Sequence, residues 1–105
     1  LVLFARAIVR EPELLLLDEP GNHMDSQALH HLKRYLTESA VPAFLMISHD
    51  RDLLDDTTRQ TLWLRDLRAY RFDAPYTRAR QALEAQDEAA QRARAAEEKE
   101  IARLK

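Results

Sequence analysis

Leu14-Leu15-Leu16-Leu17-Asp18-Glu19-Pro20 decides the fold, because four apolar residues deliver two adjacent carboxylates to a sharp turn. The apolar run is short, continuous and bounded by Pro12 before it and Pro20-Gly21 after it. That pattern predicts a strand buried on both faces, as in a parallel α/β sheet. Ligands of such sheets bind at the C-terminal edge, where Asp18 and Glu19 fall. One carboxylate there can hold Mg²⁺ through water, while its neighbour orients or deprotonates a water for attack on a terminal phosphate.

Outward from this strand, Leu1, Phe4, Ala5, Ile8 and Val9 recur at helical spacing, with Arg6 and Arg10 on the other side. An amphipathic helix stopped by Pro12 follows. Downstream, Asp25 or Ser26 can cap a second helix running to about Ala40, with Leu29, Leu32 and Leu36 along its buried stripe. After Pro42, Ala43-Phe44-Leu45-Met46-Ile47 reads as a second buried strand. Strand, helix and strand make a βαβ unit with parallel strands and a right-handed crossover. Parallel strands end on the same side, so Ser48-His49-Asp50 emerges at the edge that carries Asp18 and Glu19.

Residues 51–57 predict a short helix, and Thr61-Leu62-Trp63-Leu64-Arg65 with Ala69-Tyr70-Arg71-Phe72 a hairpin around Asp66-Leu67. Trp63, Tyr70 and Phe72 are expected to pack rather than stack on bases. From Asp73 and Pro75 the composition turns to Ala, Glu, Arg and Gln, with seven acidic against seven basic residues and nothing to break a helix over 77–105. Pairs such as Arg80 with Glu84, Glu88 with Arg92 and Arg94 with Glu98 lie one turn apart. Its apolar stripe, Leu83, Ala90, Ile101 and Leu104, is too thin for a domain core, so this helix should project or pair with a partner helix.

Composition excludes several classes. A net charge of −2 over 105 residues gives no bulk electrostatic case for nucleic-acid binding. The absence of cysteine removes disulfides and thiolate metal sites and is compatible with a reducing cytoplasm. No apolar run approaches the roughly 20 residues that span a bilayer, so no membrane insertion is expected. His30 and His31 lack acidic or cysteine partners at metal spacing and read as surface residues. Both ends read as cut within helices, so the sequence is expected to be a piece of a longer protein.

Asp18-Glu19-Pro20-Gly21-Asn22-His23-Met24-Asp25, followed one helix and one strand later by Ile47-Ser48-His49-Asp50-Arg51, resembles the ATP-binding cassette superfamily. The Asn22-His23 pair and the Ser-His-Asp-Arg run are similar to the ABC-F family of soluble, translation-associated ATPases. The resemblance implies a partial P-loop NTPase sheet. Residues 1–72 would be the C-terminal half of a cassette (Walker B, D-loop and His switch), and 73–105 the start of the helical linker or coiled-coil arm.

The same resemblance implies ATP and Mg²⁺ as cofactors. Asp18 would hold the hydrated metal, Glu19 would polarise the attacking water, and His49 would contact the γ-phosphate. Asn22, His23 and Asp25 would touch the opposing cassette. The implied partners are that second cassette, in the same full-length chain, and the ribosome or transfer RNA through the linker, in the cytoplasm. Gly21 stands where the family usually has Thr, which is expected to loosen the turn, and Met24 where it usually has Leu.

No Gly-rich Walker A loop, Gln loop or Ser-Gly-Gly signature occurs, and a single glycine cannot build a phosphate-binding nest. These 105 residues alone are therefore expected to be inactive, and unstable for want of the Walker A strand beside the hairpin. Two rivals stand beside the ABC-F reading. One is the ATP-binding subunit of a membrane transporter; the other is a non-catalytic module that anchors the charged helix for a partner.

Overall fold

The computed structural model describes residues 2–38 and 42–104, the side chains of 2–5 apart. Contacts divide the chain into two compact units, Leu1–Arg59 and Gln60–Lys105.

The first unit opens with helix α1 (Val2–Val9). It ends where Glu11 takes a left-handed conformation (φ 49°) and donates its N–H to the Ile8 carbonyl at 2.9 Å, just before Pro12. Of the expected stripe, Ile8 is half-buried and Val9 exposed, with Ala7 instead packed against the core. Leu1, Phe4 and Ala5 lie outside the described side chains. Strand β1 (Leu14–Asp18) pairs in parallel with β2 (Ala43–Ile47), in the register Leu14 with Ala43 through Asp18 with Ile47.

Between the strands, helix α2 (Ser26–Thr37) buries Leu32 and Leu36, with Leu29 half-buried. It stops short of the expected Ala40, which lies outside the described residues; the N–H of Glu38 closes it on Tyr35 O. Helix α3 (Arg51–Thr57) follows β2 and contributes Leu53, which has no exposed surface. Lys33 of α2 meets Asp56 of α3 at 3.0 Å, and this bond raises the lysine pKa.

The expectation of a strand buried on both faces is corrected. Leu15 and Leu17 join Leu32, Leu36 and Leu53 in the core, with Phe44 and Met46 packed against it. Leu14, Leu16, Leu45 and Ile47 face outward, Leu16 being 69% exposed. A run of four leucines carries no alternation, so it cannot say how many layers cover the strand.

The second unit is the hairpin of β3 (Thr61–Arg65) and β4 (Arg68–Phe72), antiparallel and forming its own two-stranded sheet, followed by α4 (Tyr76–Leu104). Ala79 and Leu83 are buried on α4, whereas Ala90, Ile101 and Leu104 of the expected stripe are exposed. Lys105, the last residue of the expected helix, lies outside the described residues. Arg80 bonds Glu84 at 3.0 Å, as the one-turn spacing predicts.

The hairpin turn places both Asp66 (φ 54°) and Leu67 (φ 62°) in the left-handed region, as a two-residue turn matched to strand twist requires. Leucine is an unusual choice there, and its side chain is 108% exposed. Left-handed backbone costs an L-residue about 1–2 kcal/mol, while glycine adds roughly 0.5–1 kcal/mol of unfolded-state freedom. Leu67→Gly is therefore expected to stabilise the hairpin unit by about 0.5–1 kcal/mol, read as a higher denaturant midpoint at unchanged slope. A lower midpoint would show that Leu67 makes a stabilising contact.

Candidate functional site

The site forms where β1 and β2 end side by side. Because Asp18 is in register with Ile47, the residues that follow each strand share one edge. Glu19 leaves β1 in a left-handed conformation (φ 47°), and its N–H donates to the Ile47 carbonyl at 2.7 Å. This bend brings its carboxylate to β2's exit. Oε1 is in hydrogen-bonding contact with His49 Nδ1, and Oε2 accepts from the His49 backbone N–H at 3.3 Å. Non-glycine residues at positive φ cost of order 1–3 kcal/mol and collect at functional sites.

His49 sits at a junction pinned on its C-terminal side. The Asp50 N–H donates to Ser48 Oγ at 3.0 Å, and Asp50 Oδ1 caps α3 by accepting from the Leu53 N–H at 3.1 Å. The imidazole is 96% exposed and the Glu19 side chain 23% exposed. With Nδ1 engaged by Glu19, Nε2 is open to solvent. Ser48 and Asp50 are not among the sequence-derived site residues, although Asp50 directly before a helix whose first turn carries Asp52 and Leu53 is an N-cap signature.

The other sequence-derived residues lie on the turn between β1 and α2. Asp18 is exposed, and its carboxylate makes no hydrogen bond among the described residues. Asn22 donates its N–H to the Glu19 carbonyl at 3.2 Å, and Met24 to that of Gly21 at 3.2 Å, so two successive turns fold the segment. Asn22 and His23 are exposed, His23 at φ 62°. Asp25 is engaged: its Oδ1 caps α2 by accepting from the Ala28 N–H at 2.7 Å.

Gly21 does not loosen this turn by adopting a positive φ; Glu19 and His23 take the left-handed positions instead. A Cβ at position 21 would meet Leu29 Cδ1 at 3.4 Å and Leu53 Cδ2 at 3.5 Å, close to ordinary van der Waals contact. His30 and His31 are exposed on α2, their ring centroids 6.1 Å apart.

No family model matches the chain. Among curated proteins it is 34% identical over 99% of its length to the uncharacterized ABC transporter ATP-binding protein YfmM of Bacillus subtilis, of which it spans 20%. Over 72% of its length it is 37% identical to the energy-dependent translational throttle protein EttA of Mycobacterium tuberculosis, spanning 13% of that protein. Over 62% it is 46% identical to the aliphatic sulfonates import ATP-binding protein SsuB 2 of Frankia alni, spanning 28%. Proteins named as F-type cassette members also match. With the two carboxylates and the histidine at the shared end of parallel strands, these similarities make the chain a member of the ATP-binding cassette superfamily, with ABC-F proteins among its homologues.

Proposed function

We propose that this chain forms part of an ABC-F-type ATPase that binds and hydrolyses ATP with Mg²⁺ and acts on the ribosome. The observation that carries the reading is the Glu19–His49 contact at the common edge of β1 and β2, directly after Asp18. Asp18 is a hard oxygen donor, exposed and without a hydrogen bond among the described residues, which fits a hydrated Mg²⁺. When bound, that ion would neutralise charge on the phosphates.

Glu19 would then act as the base that orients and deprotonates water. Its two oxygens meet His49, but each carboxylate oxygen has two lone pairs, so capacity remains for a water. The same contact fixes the imidazole. A phosphate oxygen needs a donor, which Nε2 supplies when the ring carries both protons. Loss of the γ-phosphate would thus be felt by the residue that touches the base.

We assign exposed Asn22 and His23 to the contact with a second cassette, and Asp25 to shaping their turn as the α2 cap. The phosphate-cradling and signature loops would come from sequence outside these 105 residues, which alone would be inactive. Residues 1–72 would serve as cassette and 73–105 as linker, in the cytoplasm. EttA's name places that relative in translation, and no described helix is long and apolar enough to cross a membrane.

The transporter reading is favoured by the similarity to SsuB 2, a protein named for import. Sedimentation of the intact protein separates the two. Co-sedimentation with ribosomes in the presence of ATP is expected, whereas co-purification with permease subunits and no ribosome association would establish the rival. Failure to bind ATP at all would leave the non-catalytic module.

A further inference from the structure

We propose that the Arg65–Asp87 ion pair is a latch that divides α4 into a docked root and a free lever, and sets the direction in which residues 88–104 leave the hairpin. The proposal concerns the second unit alone and does not depend on the ATPase reading.

Alternate residues of β3 meet the following segment in order. Thr61 Oγ1 donates to the Ala74 carbonyl at 2.7 Å, and the Trp63 ring stacks on Tyr76 with centroids 5.7 Å apart. Arg65 reaches farthest: Nη1 and Nη2 donate to the two Asp87 oxygens at 2.9 and 3.0 Å. Tyr76, Ala79, Leu83 and Asp87 follow at steps of three and four, so they line one face of α4. Ala79 and Leu83 supply that face's buried contacts, and every residue from Glu88 to Leu104 is exposed. The pair therefore marks the last point at which the hairpin grips the helix.

Its chemistry suits direction-setting. A bidentate fork fixes angle as well as distance, which a single lysine contact does not. The guanidinium also lies over the Tyr70 ring, 5.7 Å from its centroid; its buried Nε makes no hydrogen bond and meets Asp66 only as a looser ion pair at 3.9 Å, so the fork to Asp87 supplies this side chain's hydrogen bonds. The bond from Arg65 holds the Asp87 pKa below the usual carboxylate value and raises that of Arg65. Such a partly exposed pair adds little to stability, but it acts at the base of a long arm. Residues 88–104 extend about 25 Å at ~1.5 Å per residue, so a swing of about 10° moves the tip by roughly 4 Å.

In the intact protein, with any cysteine outside these residues replaced by serine, spin labels are placed at Leu62→Cys, on the exposed face of β3, and at Glu98→Cys, on the lever. Pulsed dipolar spectroscopy of the full chain is expected to give one narrow distance distribution. Asp87→Ala and Arg65→Met should each broaden it about twofold with far-UV helical signal unchanged, about 1 M salt should broaden the parent, and Asp87→Glu should keep it narrow. Should Asp87→Ala lose helical signal, the isosteric Asp87→Asn decides by the same width. A distribution as narrow as the parent's in Arg65→Met or in the deciding Asp87 variant would overturn the latch, as would broadening by Asp87→Glu equal to that of Asp87→Ala. Direction would then rest on Ala79 and Leu83 packing alone.

Discussion

Glu19→Gln is expected to lower ATP turnover of the intact protein by roughly 10²- to 10⁴-fold, the usual contribution of a positioned general base, while nucleotide affinity changes by no more than a few-fold. Glutamine keeps the side chain's length and can still accept the His49 N–H bond that Glu19 Oε2 now receives at 3.3 Å. What it loses is the anionic oxygen that takes a proton from water. The loss should therefore appear in kcat rather than in ground-state binding. Because Glu19 and His49 touch, they should also behave as one unit: adding His49→Ala to Glu19→Gln is expected to cost much less than the product of the two single effects. Steady-state hydrolysis alongside nucleotide titration measures both. Turnover within a few-fold of the parent would remove Glu19 as the base, and multiplicative losses would mean that the contact does not couple the two groups during the reaction.

The shared edge that carries Asp18, Glu19 and His49 was legible from the chain because it needs only two facts, a parallel pairing and a register; the direct touch of Glu19 on His49 is added by the structure. Leu14–Asp18 and Ala43–Ile47 declared themselves as strands of equal length, and residues just past the ends of such a pair meet at one edge. How Glu19 gets there was not legible. Its left-handed backbone and bond to the Ile47 carbonyl are long-range consequences of the pairing, not propensities of glutamate. Asp25 shows the converse: the sequence supported both a cap and a place in an inter-cassette loop, and the bond to Ala28 shows the cap in use.

Burial was read least well. Leu16 and Leu45 are as apolar as Leu15 and Leu17, and only the side on which α2 and α3 pack decides which of them leave water. On α4, the burial of Ala79 was not legible because alanine carries little hydrophobic signal.

The largest stability loss is expected from Leu53→Ala. Leu53 has no exposed surface, belongs to the cluster with Leu15, Leu17, Leu32 and Leu36, and lies where a Cβ on Gly21 would touch it, under the turn that follows the carboxylates. Truncating a fully buried leucine costs about 2–5 kcal/mol, the upper part of that range when the cavity cannot collapse. Collapse is hindered here because α3 is tied at its start by the Asp50 cap and farther along to α2 by the bond of Lys33 to Asp56. Against a total domain stability of about 5–15 kcal/mol, such a loss consumes a large share. Leu45→Ala is the matched control: the same atoms are removed from the outward face of β2, where a change within about 0.5 kcal/mol is expected. Denaturant midpoints of the intact protein compare them directly. A Leu53→Ala loss below about 1 kcal/mol would show that this leucine is not the keystone of the first unit. An equal loss at Leu45 would mean that the sheet's second face is covered in the intact protein, as the four consecutive leucines of β1 first implied.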